Sequence, residues 1–585
     1  MLPGAPGAPG APGAPAGRTA QPGSAGAAAP ARAADATQAG QAAQAADAAQ
    51  AVDAGQAVDA GQAVDAGQAG DAGQAGRPWQ ARAAIAARRH WLVSLLLAAG
   101  LVLRVAAQAA YHPALIYVDT LKYLYGASPG SEPLGYTALL RLILLAGDLG
   151  TAAAIQHVLG LAMAVALYVV LLRRGAARWL AALAVAPVLL DAYQLQMEQT
   201  IMADVWFETM IVAGLAVLLW RPAVTTSFAV AGGLILGSSA TVKQLGELLV
   251  LPAAAYLLVA GGRRAIACSA ALVVAFAAPI LCYCGVSYAR TGHFRLAHRQ
   301  PTIGRLVAAA DCATLKLPPA VRPLCPAPAE QAYGPDFLEH DGQSPLFQAP
   351  ARPGTRGRLI AELGSAIRHQ QPGRVVVSIA EDSLRMFALT RGPSLWIVPI
   401  SRWQFQTRYP VYPPWVTLGR GDDIVVGVQR AVFGRFRFSV LKPSYGGRAQ
   451  VDRPVAALLR AYQLDGGYTP GPLLAVLALT GLAGSLAAFA RRVASARTRQ
   501  LALGCLLFTA TAAVVLFVPD VYEFSWRYEL PAVITLVPGG VLGISALLSL
   551  RYDRVGPRQD RAGFGKDLLR RPRARPHPSG DAPGQ

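Results

Sequence analysis

Charged side chains are scarce in this 585-residue chain: they make up 15%, against 54% hydrophobic residues. With a positive mean hydropathy as well, the chain carries far more apolar surface than one water-soluble core needs, which excludes an ordinary soluble protein. A small-residue cleavage site is missing behind the first apolar stretch, so that stretch is expected to stay as an uncleaved anchor and not to act as a signal peptide. Usable cysteine is scarce too. Four of the six (Cys268, Cys282, Cys284 and Cys505) fall in apolar stretches, where cysteine behaves as a small hydrophobe, and Cys282 and Cys284 are too close together to ligate a metal on their own. Only Cys312 and Cys325 remain, in a segment expected to face an oxidising compartment, and they are expected to form a disulfide.

What the chain has instead is long apolar runs. Stretches of about 20 residues, the length that crosses a bilayer, recur near residues 91–110, 151–172, 179–197, 204–220, 224–242, 245–260, 265–287, 471–490, 500–518 and 530–550. The expected fold class is an all-α polytopic membrane protein of about ten transmembrane helices with a mixed extracytoplasmic loop region.

Arginine sets the expected orientation. Arg77, Arg82, Arg88 and Arg89 precede the first run and Arg173, Arg174 and Arg178 follow the second. Arg221, the pair Arg263 and Arg264, the group Arg491 to Arg499, and Arg551 with Arg554 then mark alternate loops. Positive charge gathers on the cytoplasmic side, so both termini of this multi-pass cell-membrane protein are expected in the cytoplasm. The loop carrying Asp119 is then extracytoplasmic. Much of the net charge of +20 lies in these loops and in the tail, where it suits anionic lipid head groups or solvent and calls for no nucleic acid.

Five regions are expected. Residues 1–76, with four Gly-Ala-Pro triplets and a repeated Val-Asp-Ala-Gly-Gln-Ala, read as a disordered low-complexity cytoplasmic tail. Residues 77–287 form an N-terminal transmembrane module whose first outward loop is 111–150. Residues 288–470 form an extracytoplasmic region, either a small domain or long loops, with an amphipathic helix at Val375 to Leu389 and an aromatic, basic stretch from Arg402 to Trp415. Residues 471–550 are C-terminal transmembrane helices, and 551–585 a basic disordered cytoplasmic tail.

The polar residues that a membrane penalises carry the chemistry. Asp191, Glu198, Asp204 and Glu208 cluster at one boundary; the first two are seven apart and the last two four apart, so each pair shares a helix face. Such acids are either functional or, for Asp191 and Asp204, caps on helix ends. Lys243 and Arg527, with Arg290, His293 and Arg295, stand at the same boundary. They suit a lipid phosphate whose charge grows as its bond breaks, or else they snorkel or pair with the nearby Glu247 and Glu529. Arg104, inside the first run, is expected to reach outward. Asp119, at the mouth of that run and ringed by tyrosines, either caps the helix from Thr120 to Tyr125 or acts as a general base.

The order of these features resembles the GT-C glycosyltransferases, integral-membrane enzymes that take a sugar from a polyprenyl phosphate. They include protein O-mannosyltransferases, the lipid A aminoarabinose transferase and many actinobacterial cell-envelope enzymes. The resembling parts are Tyr117-Val-Asp119-Thr-Leu-Lys-Tyr123, Glu132-Pro-Leu-Gly-Tyr-Thr-Ala-Leu-Leu-Arg141, the acidic loop ending Met202-Ala-Asp204, the Lys243 segment and Trp526-Arg-Tyr-Glu-Leu-Pro531. The resemblance implies Asp119 as the base of an inverting transfer, with Glu198, Asp204, Lys243, Arg527 and Tyr123 binding substrate. It implies a polyprenyl-phosphate-linked sugar and membrane lipids as partners, with a polysaccharide, lipid or protein acceptor. A divalent cation is a possible cofactor, with Glu198 and Asp204 as candidate ligands. Several branches of that family carry two adjacent acids where this chain has Asp119 and Thr120. The alternatives are a secondary transporter or an envelope-assembly membrane protein. The two halves of the apolar region show no similarity to each other, and an outward segment of about 180 residues is long for a transporter.

Overall fold

The apolar runs become helices in the computed structural model. It describes residues 88–125, 133–297 except 263, 302–391 except 341–342 and 353, 400–408, three short strands between 417 and 438, 443–489 except 448, and 494–555. The N-terminal tail 1–76, the tail beyond 555, Arg77, Arg82, Arg263, Glu132 and the end of the Arg402 to Trp415 stretch lie outside the described residues.

Five helices are long and apolar enough to cross a membrane: Trp91–Ala110, Leu149–Arg173, Ala265–Thr291, Gly471–Phe489 and Ala496–Val521. Two bent pairs, Arg178–Leu190 with Ala192–Gln199 (49°) and Trp526–Ile534 with Leu536–Asp553 (40°), raise the count to seven when each is taken as one span. This falls short of the ten expected. The stretches 204–220, 224–242 and 245–260 do fold as helices, but Asp204–Leu218 has 15 residues, Thr226–Val242 has 17, and Val250–Ala260 has 11 behind a 3-10 turn at Gln244–Leu249. At about 1.5 Å per residue, 17 residues rise about 26 Å, less than the hydrocarbon thickness of about 30 Å.

The breaks come from identifiable residues. Pro187 lies in the last turn of Arg178–Leu190, where it removes one backbone donor. Asp191 then turns extended and caps the next helix, accepting from the Tyr193 and Gln194 amides. Its other carboxylate oxygen accepts from the Thr469 amide at 2.7 Å, so Asp191 takes the capping role.

Helices in lipid gain little from hiding apolar area from one another and depend on close contact instead. Thr226–Val242 packs along Ala265–Thr291, and a Cβ at Gly237 would collide with the Phe276 carbonyl. Gly237→Val is therefore expected to force these helices apart and lower the thermal midpoint of the detergent-solubilised protein by several degrees, whereas the same change at Gly285, where a Cβ meets nothing, is expected to leave it within about one degree.

Between residues 302 and 371 a second core forms. Leu306, Val307, Leu324, Leu338, Leu363 and Ile367 pack together, on helices that include Ile303–Ala309 and Arg356–Gln370. Cys312 and Cys325 are joined by a disulfide. Closing so short a loop is worth up to about 3 kcal/mol; the Cys312→Ser, Cys325→Ser variant is expected to be cut by protease in this region before the membrane helices unfold. The expected amphipathic helix is present as Pro372–Arg385. It is tied to the Ala496–Val521 helix through Arg305, which pairs with Asp382 at 2.5 Å and donates to the Asp520 carbonyl at 2.7 Å. Three strands, Thr417–Leu418, Ile424–Val426 and Phe436–Phe438, pair antiparallel in that order, which makes the region mixed.

The first loop is stitched down on both flanks. Tyr111–His112 pairs antiparallel with Gln450–Val451. Leu115 donates its amide to the Gln199 carbonyl and accepts from the Ile201 amide, both at 3.0 Å. Asp119 is thereby carried to the acidic 191–208 segment.

Candidate active site

The short Val118–Tyr125 helix follows directly on that stitched segment. Thr120 locks its start: its hydroxyl accepts from the Tyr117 amide at 3.0 Å and donates to the Ile201 carbonyl at 2.9 Å. The position at which the resemblance leads one to look for a second acid is thus occupied by a residue that anchors the loop.

Asp119 sits between two cations. Lys122, one turn along the same helix, approaches Oδ1 at 2.9 Å, and Arg527 Nη1 approaches Oδ2 at 2.8 Å. The carboxylate is 14% exposed, and Arg527 likewise 14%. Burial alone would raise the Asp119 pKa, but the charges and hydrogen bonds of Lys122 and Arg527 outweigh it and hold the carboxyl well below the usual range. The depressed value means that the ion pair's contribution to stability is complete above the unfolded carboxyl pKa of about 3.9 and is lost only in stronger acid.

Arg527 comes from the 3-10 turn Trp526–Glu529. Its guanidinium stands 5.4 Å from the Trp403 ring centre, 4.9 Å from that of Tyr528 and 6.0 Å from that of Tyr117. It also donates to the Tyr528 hydroxyl at 3.0 Å. Lys243 Nζ lies 2.7 Å from Asp204 Oδ1 and 5.2 Å from the Tyr528 ring. Asp204 is within electrostatic range of both Asp119 and Arg527. Two carboxylates and three cations thus share one aromatic-walled site, a setting in which an anion can exchange partners without leaving a charge unpaired.

Of the residues expected from sequence, Asp119, Asp204, Lys243 and Arg527 come together. Tyr123 is buried one turn beyond Asp119, edge-on to Tyr136 at 4.7 Å. Glu198 is elsewhere. Fully buried, it is held by Arg104 at 2.7 Å and His157 at 3.0 Å, and Arg104 also donates to the Gly100, Val188 and Leu189 carbonyls. Arg104 therefore does not reach outward. Two of those carbonyls end the Pro187-containing helix, where the helix itself supplies no donors. Nor do the cations pair with their sequence neighbours: Lys243 and Arg527 reach Asp204 and Asp119, while Glu529 meets Arg391 at 3.2 Å.

Among the described residues no three His, Cys, Asp or Glu side chains converge; Glu198 is consumed by Arg104 and His157, and Asp204 by Lys243. Lys122, Tyr528, Tyr117 and Trp403 were not singled out as site residues from the sequence. Lys122 could have been found from its i, i+3 spacing to Asp119. Trp403 belongs to the aromatic, basic stretch that begins at Arg402, but its link to the site exists only through the fold.

No family model matches this chain, and no curated protein matches it. Among solved structures it is similar to the S. cerevisiae protein O-mannosyltransferase Pmt1-Pmt2 complex bound to the sugar donor, at 15% identity over 34% of this chain and 33% of that one, with a TM-score of 0.28. It is also similar to the archaeal oligosaccharyltransferase AglB from Archaeoglobus fulgidus in complex with an inhibitory peptide and a dolichol-phosphate, at 12% identity over 82% of this chain and 54% of that one, with a TM-score of 0.31. The chain thus spans about a third and about half of the lengths of these two proteins. Likenesses at those scores carry no argument about chemistry, which has to come from the site itself.

Proposed function

We propose that this chain is a membrane glycosyltransferase that moves a sugar from a polyprenyl-phosphate donor to an acceptor hydroxyl on the extracytoplasmic side. The observation that carries the reading is the Asp119–Arg527 pair at 2.8 Å beside the Asp204–Lys243 pair at 2.7 Å: a base and phosphate-binding cations in one partly closed site. In the reaction, a lone pair of the acceptor oxygen attacks the anomeric carbon from the face opposite the phosphate. The bond to the phosphate oxygen breaks with its electrons on phosphate, and the hydroxyl proton passes to Asp119. One carboxylate suffices because phosphate leaves without needing a proton, unlike the two-carboxylate arrangement of glycosidases.

Free Asp119, clamped by two cations, is a weak base. A donor phosphate that draws Arg527 and Lys122 towards itself loosens that clamp and raises the proton affinity of Asp119 when the acceptor oxygen needs it. The extracytoplasmic placement rests on the arginine pattern, and a ten-span count rests on the three shorter helices crossing as well.

Lys243→Met is expected to raise the KM for a polyprenyl-phosphate sugar about tenfold or more and to lower kcat less, as a ground-state phosphate contact would; an unchanged KM would remove Lys243 from the donor site. Because the Asp119 pKa is depressed, the acid limb of kcat/KM is expected below about pH 4. A limb centred near pH 6 would point to another base. Transport offers a competing reading, and the assay that separates them is direct: solute uptake into proteoliposomes, with no transfer from any lipid-linked sugar, would replace this proposal.

A further inference from the structure

The helix Arg453–Leu464 turns an apolar face outward. After Arg453 its exposed residues are Pro454, Ala457, Leu458, Ala461 and Leu464, at spacings that put them on one side of the helix. Leu458 is 68% exposed and Leu464 48%. Another helix of the same outward region has a different surface: on Arg356–Gln370 the exposed residues include Arg358, Glu362, Arg368 and His369. A continuous apolar face on a surface helix marks a place that another apolar phase covers.

The fold holds this helix where the membrane-length helices end. At its start, the Asp452 amide donates at 2.9 Å to the carbonyl of Ala110, the last residue of the Trp91–Ala110 helix. Ala456 and Leu459, on the opposite face, pack with Ala107 and Ala110. Towards its end, the Tyr462 hydroxyl donates at 2.6 Å to the carbonyl of Leu190, where the Pro187-containing helix stops. The Gly467 carbonyl then accepts from the Ala192 amide at 2.7 Å, and the next span begins at Gly471. Twelve residues at about 1.5 Å each make a rod of about 18 Å, fastened at both ends beside the ends of spans. The helix therefore lies at the boundary of the apolar layer and does not project into water.

Its inner face reaches the ion-pair site. Gln463 accepts from the Phe405 amide at 2.8 Å and donates to the Trp403 carbonyl at 3.0 Å, and Arg460 donates to the Phe405 carbonyl at 2.7 Å. The Arg527 guanidinium rests against the Trp403 ring. Whatever the outer face meets is thus linked, through one helix, to the wall of the site.

We propose that Arg453–Leu464 is an interfacial helix whose outer face is sunk in the lipid of the leaflet on the Asp119 side, and that this seating sets the height of the Trp403 wall against the bilayer. Lipid is the occupant that the position favours, because the chain runs on directly into Gly471–Phe489, where Leu473, Val476 and Leu479 are exposed in the same way. The seating stands whether or not the site transfers a sugar.

The test uses the full-length protein in nanodiscs of phosphatidylcholine and phosphatidylglycerol. The exposed Cys282 is removed as Cys282→Ala, and a nitroxide is attached at Leu458→Cys or at Leu464→Cys. Leu479→Cys is the lipid reference, and Gly357→Cys, where a Cβ meets nothing, is the water reference. Protein without an added cysteine gives the background. Electron paramagnetic resonance then measures collisions of each label with oxygen, which concentrates in lipid, and with a water-soluble nickel chelate. Labels at both helix positions are expected to collide with oxygen as often as the label at Leu479, and with the chelate at least about threefold less often than the label at Gly357, as for a face sunk about 5–10 Å into the head-group and acyl boundary. Two positions keep the test informative where one variant fails to fold. Chelate collisions at either position equal to those at Gly357 put the face in water and overturn the proposal. Rare collisions with both reagents put it against protein and overturn it too; spin–spin broadening that fades on dilution with unlabelled protein would identify that protein as a second copy of this chain.

Discussion

Asp119→Asn is expected to cut transfer turnover by about 10²–10⁴-fold, the usual contribution of a general base, while the protein still inserts and elutes as a single species. Asparagine has the same shape and still offers Arg527 an acceptor where Oδ2 now stands at 2.8 Å, so the site geometry persists. What is lost is the ability to take the acceptor's proton. Donor affinity is expected to be unchanged or slightly tighter, because Arg527 and Lys122 are released from the carboxylate and become free to meet phosphate. The decisive readout is therefore a fall in kcat at near-constant donor KM. Undiminished turnover in this variant would sink the assignment of Asp119 and leave Asp204 as the remaining carboxylate of the site.

The largest expected effect on stability lies away from the site, at Arg104 and Glu198. Their side chains are 2% and 0% exposed. Removing one partner of such a buried pair costs about 3–5 kcal/mol, mostly because the other charge is stranded. Arg104→Met also strips donors from the Gly100, Val188 and Leu189 carbonyls, so it is expected to cost more than Glu198→Gln, which keeps a polar partner for Arg104 and His157. The double replacement Arg104→Met, Glu198→Met should recover the part due to the stranded charge but not the lost carbonyl donors. A denaturant titration of the wild type, Arg104→Met, Glu198→Met and the double variant as a double-mutant cycle measures this coupling. Additive losses would mean that the pair does not act as one unit. Gly160 makes room for this lock, since a Cβ there would collide with the Glu198 carboxylate.

Much of the architecture was legible along the chain, for reasons that are local. A run of apolar residues must satisfy its backbone within one helix in lipid, so the helices could be read without knowing their neighbours. Cys312 and Cys325 had no other partner in their segment. Asp119 stood out as an acid beside a membrane helix, whereas Asp191 could be read as a cap or as a functional acid until the structure showed it capping Ala192–Gln199. The count of spans was less legible, because hydropathy blurs across short polar breaks: Gln244–Leu249 tightens into a 3-10 turn and leaves only Val250–Ala260 as α-helix.

By itself, then, the sequence determined that this is a chain of membrane-length apolar helices and which few charged residues are set against them. It could not determine their pairing, because that depends on how each helix is rotated about its axis and on which loops are brought side by side. Glu198 and Asp204 looked alike on the page, six residues apart in one acidic stretch. Packing turned Glu198 inward to Arg104 and His157 and left Asp204 beside Lys243, within range of Asp119. Arg527 reaches Asp119 across some 400 residues of chain. Only the tertiary structure decides such a contact, since an ion pair forms where packing holds two charges within a few ångströms, whatever their separation in sequence.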